Sequence, residues 1–380
     1  MKIYLLNILA FIILLSCNQP QKAAMEDYYL YVGAYTQNEE EGISLYHFNG
    51  SDGSLKLISI ANGVVNPSYL AINQESSILL AVNEIGEFNG EKSGSVSSFK
   101  IDKSSGALKL INKKPSMGGA PCYVSLTSDA SLSFIANYSG GNVSVLPLDK
   151  SGMLQNASDV IQHKGSGADS MRQKGPHAHT IVLDPNEKYA LVADLGIDKV
   201  ISYLIDKENG KLIKESEFDT EPGAGPRHLV FHENGLFVFI INELNSTITS
   251  CRYDSNSGAL SKIETVSTLP EGFTKDSFCA DIHISRDGRF LYGSNRGHDS
   301  IVVFEINQQS GRLNFVSHHS VKGAFPRNFT IDPSGQYLLV ANQKSDNIVV
   351  FKIDQESGRL QETGIEVSTR MPVCLKMMPI

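Results

Sequence analysis

The chain is poor in positive charge: 33 Lys and Arg stand against 41 Asp and Glu, for a formal net charge of −8. A nucleic-acid partner demands a basic face to neutralise phosphates, so this balance argues against one and makes any anion site local. Cysteines are scarce, five in 380 residues, and none shows metal-ligand spacing such as C-x-x-C. Cys122, Cys279 and Cys374 sit near the start of one recurring strand, which reads as buried free thiols rather than a disulfide framework. Helical stretches are missing. So are a nucleophile elbow, a Walker loop and a dinucleotide fingerprint. The glycine cluster Ser139-Gly140-Gly141-Asn142 is a hairpin turn, not a phosphate loop opening a helix. No cofactor is expected. No metal is expected either, since His177 and His179 are i, i+2 imidazoles without a third ligand.

The apolar run at residues 3–15 is too short to span a bilayer comfortably; it follows Lys2 and ends at Leu14-Leu15-Ser16-Cys17. This reads as an export signal, and its ending resembles the lipobox of bacterial lipoproteins, in which the cysteine is lipidated. The expected organisation is a signal peptide at 1–17 with Cys17 as lipidation site, a tether at 18–26 and one domain at 27–380. An ordinary signal peptide cut nearby is the alternative. Either way the protein is exported. In the first case it is lipid-anchored to a bacterial membrane, facing the periplasm or the cell surface, with no other membrane contact.

What the chain has in abundance is repetition. A turn of the form Ser-Gly-x-Leu occurs seven times, with glycines 53, 106, 152, 210, 258, 311 and 358. Glycine follows a small polar residue there because a tight hairpin needs positive φ. Independently, Pro67 leads to Asn83, Pro121 to Asn137, Pro226 to Asn242 and Pro326 to Asn342, sixteen residues apart in every case. Ala178 to Asp194 and Cys279 to Asn295 are degenerate copies of the same spacing. A last start at Pro372 lacks its second strand, and residues 29–35 supply a second strand lacking its first. Each unit holds four strands; in the unit beginning at Pro121 they are expected at 122–127, 133–137, 142–147 and 153–155. All-β units of about 50 residues, seven in all, predict an all-β seven-bladed β-propeller of four-stranded antiparallel blades. The C-terminal strand joins the N-terminal blade, closing the ring and burying edges that would otherwise pair with other chains. A monomer is expected.

In each unit the first strand starts after Pro and the second returns to end at Asn, so the residues following each share one rim of the channel. Around the ring these positions bring together Arg227, Arg296, Arg327, His179, Glu84 and Glu243, with Tyr138 beside them. Arginine offers a planar, permanently charged fork for carboxylate or phosphate. His179 can exchange a proton near neutral pH, as can His177 in the same Gly-Pro-His-Ala-His turn. Two roles stay open for Glu243, base or partner of arginine. His228 and His283, flanked by strand residues, read as hydrogen-bonded core. Extensions at 87–93 and 163–172 adjoin this rim.

The segments Tyr31-Val32-Gly33-Ala34-Tyr35-Thr36, Gly175-Pro176-His177-Ala178-His179, Gly225-Pro226-Arg227-His228 and Ser294-Asn295-Arg296-Gly297, in that order, resemble the seven-bladed propeller lactonase family. Its members include bacterial 6-phosphogluconolactonases and fungal carboxy-muconate cyclases. The resemblance covers residues 28–380. It implies catalytic roles for His179 (or His177), Arg227, Glu243 and Arg296, while Arg327, Glu84 and Tyr138 join the substrate site by geometry. The expected function is opening of a sugar (phospho)lactone by base-activated water with Arg stabilisation, the partner being a small lactone or carboxylate/phosphate anion. A muconate-type cyclase or isomerase and a non-catalytic binding propeller are the alternatives. The export signal conflicts with a phosphorylated lactone made in the cytoplasm.

Overall fold

A computed structural model describes residues 26–38 and 41–380. The expected signal peptide, Cys17 and the tether up to residue 25 lie outside the described residues. Twenty-eight strands, β1 to β28, form seven four-stranded antiparallel sheets, and the described residues contain no helix. The ring closes as the repeats predict. Strand β28 (Pro372–Pro379) pairs along β1 (Tyr28–Ala34), from Tyr28↔Pro379 to Gly33↔Cys374, and β2 (Ile43–Phe48) and β3 (Leu55–Ala61) complete that blade.

The first strands of successive blades neighbour one another around the axis and so wall the channel. Second strands such as Ile78–Asn83, Phe237–Asn242 and Tyr337–Asn342 are buried along their whole length. A strand with both faces dry needs a continuous apolar run, which these have. Outer strands such as Leu360–Ser368 alternate toward solvent. Full burial of one Leu, Ile, Val or Phe stabilises by about 1.5–3 kcal/mol, so the second strands are the main apolar anchor of each blade.

The two sequence markers have separate structural duties. Pro67, Pro121, Pro226 and Pro326 pair directly with Asn83, Asn137, Asn242 and Asn342. The asparagine amides of Asn83, Asn137, Asn295 and Asn342 donate to Val65, Ser116, Thr268 and Val321 carbonyls, each in the segment entering the blade's first strand. The asparagine therefore ties down the loop that delivers the channel strand.

The seven marker glycines all have φ between 63° and 83°. Five of them, Gly106, Gly258, Gly311, Gly358 and Gly53, also press on Tyr29, Tyr189, Phe237, Phe290 and Tyr337, aromatic rings of the preceding blade's second strand. Gly53 on Tyr337 joins the first blade to the last. These turns thus staple blade to blade.

One strand differs from expectation. The outer strand of the Pro121 blade is Asp159–Gln162, and 153–155 contribute only an isolated bridge, Leu148↔Leu154. Leu154 is instead buried against the previous blade, where Asn112 brackets its backbone (Asn112 Nδ2 to Leu154 O 2.9 Å, Leu154 N to Asn112 Oδ1 3.1 Å).

Replacing Gly106 by Ala tests the staple. A Cβ there would lie 2.7 Å from Tyr29 Cδ1 and adopt φ +72°, whereas Gly235, φ +69°, has nothing within 4 Å. Gly235→Ala should destabilise by about 1–2 kcal/mol from left-handed backbone alone. Gly106→Ala should exceed it by a further ~1–3 kcal/mol from overpacking, read by urea unfolding. Equal losses would remove the inter-blade role.

Candidate active site

The pairing skips one residue directly after each proline position. Ser68, Cys122, His179, Arg227, Arg327 and Val373 are each left out of the ladder, as is Ala280 together with Asp281. A bulge of this kind re-aims the side chain it carries. Seven bulges at one end of seven channel strands, with seven strand ends beside them, make one mouth.

That mouth is a cavity of about 490 Å³. Its wall contains Tyr35, Glu84, Cys122, Tyr138, His179, Glu243, Arg296, Arg327 and Gln343, all from the two predicted rim positions. It also contains Arg172, Phe278 and Phe325, which the rim rule missed. The two phenylalanines occupy the residue before the proline position in adjacent blades, one step earlier than the rule looked. Arg172 comes from the Gly/Ser-rich extension, whose length was its only sequence signal.

Two expected site residues stand outside the wall. Arg227 is 1% exposed and lies beneath Glu243. Its Nε donates to Glu243 Oε2 (3.1 Å) and its Nη1 to Ala280 O (2.5 Å) and His228 Nε2 (3.2 Å). The bulge turns this side chain inward, where it neutralises a buried carboxylate. His177 stacks on Tyr138 (centroids 4.5 Å apart) and its Nδ1 lies 2.9 Å from Tyr138 O, which holds the tyrosine from behind.

Glu243 is the centre of charge. Its Oε1 meets Arg172 Nη2 (2.7 Å), and its Oε2 meets Arg227 Nε (3.1 Å) and Arg296 Nη2 (2.7 Å). Burial alone would raise its pKa; Arg296, Arg227 and Arg172 outweigh that and hold the carboxyl well below the usual range. Arg296 is fixed further by the Cys279 carbonyl (2.8 Å) and lies over Phe325. Burial, with Arg296 and Arg327 nearby, brings Arg227 down to about 10, still cationic at neutral pH.

Arg327 is different. It lies over the Tyr35 ring at 5.4 Å and makes no hydrogen bond or ion pair with the described residues. Tyr35 donates its hydroxyl to Glu84 (2.8 Å). His179 is buried, and burial followed by Arg227, His228 and Arg327 pushes its pKa well below the ordinary imidazole value. It is neutral at physiological pH, with Nδ1 3.8 Å from the thiol of Cys122, and burial pushes that thiol's pKa far up. All four described cysteines are buried free thiols.

Below His179 the channel is filled. His228 stands edge-on to His179, Tyr69 and Tyr123. Its Nε2 accepts from Arg227, so the ring proton is on Nδ1, facing Asp281 Oδ1 at 2.8 Å. His283 Nε2 binds the other Asp281 oxygen at 3.0 Å. Both histidines thus serve the core, as their strand neighbours suggested. Among the described residues no group of three or more His, Cys, Asp or Glu is arranged to hold a metal ion. Four guanidinium groups, Arg172, Arg227, Arg296 and Arg327, face two carboxylates, Glu84 and Glu243, so the cavity is locally cationic in an acidic protein.

The model of the lactonase, 7-bladed beta-propeller family matches residues 29–377. The chain belongs to that family. It is 36% identical over 305 residues to the 6-phosphogluconolactonase of Bacillus subtilis, covering 80% of this chain and 85% of the relative. The structure of the periplasmic gluconolactonase of Pseudomonas aeruginosa superposes with a TM-score of 0.87 at 36% identity, covering 93% of this chain and 99% of that one. A Lactobacillus plantarum protein gives 0.86 at 31% identity, with 93% and 99% covered. This lactonase thus shares both fold and chain length with its relatives.

Glu243→Gln checks the charge cluster. Removing one partner of a buried pair costs about 3–5 kcal/mol, the deficit expected at pH 7. A depressed folded-state pKa gives stability that is present above the unfolded value of 4.5 and lost as pH falls toward the folded value. The gap between wild type and variant should therefore narrow as urea unfolding is repeated below pH 4.5. A constant gap would contradict the ion-pair account.

Proposed function

We propose that the chain opens a sugar lactone, free or phosphorylated, with His179 as general base and Arg327 as the group that stabilises the oxyanion. One observation carries this reading: a neutral imidazole and an unpartnered guanidinium share the wall of one cavity. The names of the B. subtilis and P. aeruginosa relatives support the substrate class.

The steps follow from the groups. Water attacks the lactone carbonyl carbon and gives its proton to His179. Arg327, without a partner to leave, holds the oxyanion of the tetrahedral intermediate. Collapse breaks the ring C–O bond. The imidazolium then returns its proton to the departing alkoxide, and the new carboxylic acid loses its own proton to solvent, leaving a hydroxy carboxylate. An imidazolium placed near Arg227 and Arg327 is a strong acid, which suits this second transfer. Glu243 is not the base in this scheme: three guanidinium groups occupy it and keep it ionised. Its role is to hold Arg296 in place.

His179→Gln should lower kcat about 10²–10⁴-fold, the usual share of general acid–base catalysis. Arg327→Gln should cost about 10²–10³-fold, as for an oxyanion donor. Because burial depresses the His179 pKa, its active neutral form persists below pH 6.5, so kcat/KM should not halve there. A midpoint at 6.5 or above would move the base to another residue. A pH-indicator assay over a panel of lactones, using protein lacking residues 1–17, tests the reading as a whole. No turnover above the spontaneous rate on any of them would sink it.

Export with a lipid anchor at Cys17 is part of the same proposal. It is supported by Lys2, the apolar run and the Leu-Leu-Ser-Cys ending, and by the periplasmic name of the P. aeruginosa relative. It removes a phospholactone made in the cytoplasm from easy reach and favours lactones formed outside. Cys17→Ser in the full chain should shift the protein from the detergent phase to the aqueous phase in a partition assay. An unchanged partition would leave no place for the anchor.

A further inference from the structure

We infer that Arg172 is the substrate-selecting arm of the cavity, releasing Glu243 to bind a carboxylate or phosphate that the lactone carries away from its ring carbonyl. The inference rests on the lactone-hydrolase reading above and deepens it.

Its first support is position. Leu195 is the strand-end residue of its blade and is fully buried outside the cavity wall, unlike every other strand-end residue. The 163–176 extension lies over it. Gln173, 1% exposed, donates through Nε2 to the Leu195 carbonyl (2.8 Å) and to Asp198 Oδ1 (2.7 Å), and its Oε1 accepts from Asp169 N (2.7 Å). The backbone beside residue 172 is thus clamped, and the extension supplies an arginine where the blade itself has only a leucine.

The second support is how Arg172 is held. Its side chain is 38% exposed, against 2% for Arg227 and 6% for Arg296. Arg172 has Glu243 Oε1 to itself, while the two buried arginines share Oε2. If Arg172 lets go, Glu243 is still paired in the interior. If either of the others let go, a buried charge would lose its partner, which is far more costly than opening a half-exposed pair. The remaining contacts of Arg172 are loose: 3.4 Å to Tyr138 Oη and 6.0 Å to the Phe278 centroid. The long side chain can therefore swing on a fixed base, and its planar fork fits either oxyanion group. Arg327 takes the carbonyl in the proposed reaction, which leaves Arg172 as the accessible cation for a second anionic group.

The test compares three lactones on the purified protein: a neutral aldonolactone, one with a terminal phosphate and one with a terminal carboxylate. In Arg172→Gln the ratio of kcat/KM for an anionic lactone to that for the neutral one should fall about tenfold to hundredfold, the worth of one charged hydrogen bond. Arg172→Lys, which keeps the charge, should recover part of it. Whichever anionic lactone loses more identifies the group bound. A ratio that stays the same overturns the inference, whether both rates fall together, as a mere support of Glu243 would give, or neither falls. Calorimetry with the ring-opened acids gives a readout that needs no turnover. Aldonate with a terminal phosphate or carboxylate should bind wild type about tenfold or more tighter than Arg172→Gln, and equal binding also overturns the inference. A protein that binds these acids through Arg172 yet opens no lactone would instead count against the hydrolase reading alone.

Discussion

The register between the first two strands of each blade is the constraint on which the remainder depends. Proline opens the channel strand because its missing N–H is harmless at a strand start. Asparagine closes the next strand because its buried amide can hold the incoming loop. With those two residues facing each other, the next residue on one side is a bulge and the next on the other is a strand end. The scaffold therefore places two side chains per blade outside the ladder at a fixed end of the channel, and nine of them line the cavity. A slip of one residue would part each proline from its asparagine and carry the bulge away from the rim, so register and site depend on the same pair.

Filling such a mouth with arginines raises an electrostatic problem, since like charges in a dry site repel and are expensive to desolvate. Glu243 resolves most of it by meeting three guanidinium groups with two oxygens. Arg227 is then best understood as part of the foundation: it ties Glu243 to the Ala280 carbonyl and to the His228–Asp281 pair that plugs the channel below. Burial first, and then Arg227, His228 and Arg327, keep His179 neutral. In the proposed reaction base and cations are thus linked, because the positive charge that would hold an anion adds to burial in disfavouring an imidazolium.

Much of this was legible in the sequence, for a definable reason. Spacing reveals register, and register places strand ends, so the ring, its closure through Pro372–Pro379 and nine residues of the cavity wall follow from two repeated markers. Spacing does not reveal where a bulged side chain points. That is why Arg227 was expected in the wall and lies under it, while Arg327, at the equivalent bulge, lines it. Nor does it show which neighbour of a marker turns inward, so Phe278 and Phe325 went unseen. Phe325 has φ +64°, a conformation hard to anticipate for an aromatic residue. Arg172 belongs to no repeat at all. The Leu154 segment shows the opposite error, a marker obeyed too literally: its glycine turn is kept, but the leucine packs into the previous blade and the outer strand forms later.

The contrast between the two bulged arginines bears on how the site works. Arg227 and Arg327 start from the same local geometry, yet one spends its donors on Glu243, Ala280 and His228 and the other leaves them free over an aromatic ring. A guanidinium over the face of tyrosine keeps its charge partly stabilised without using any N–H. It can then take up a developing oxyanion without first breaking a hydrogen bond, which is what preorganisation requires. A salt-bridged arginine in that place would bind the ground state of an anion by exchange and gain little at the transition state. Pairing Glu84 with the Tyr35 hydroxyl rather than with Arg327 is therefore consequential: it keeps a carboxylate near the cation while leaving the fork open to the oxyanion of the proposed reaction.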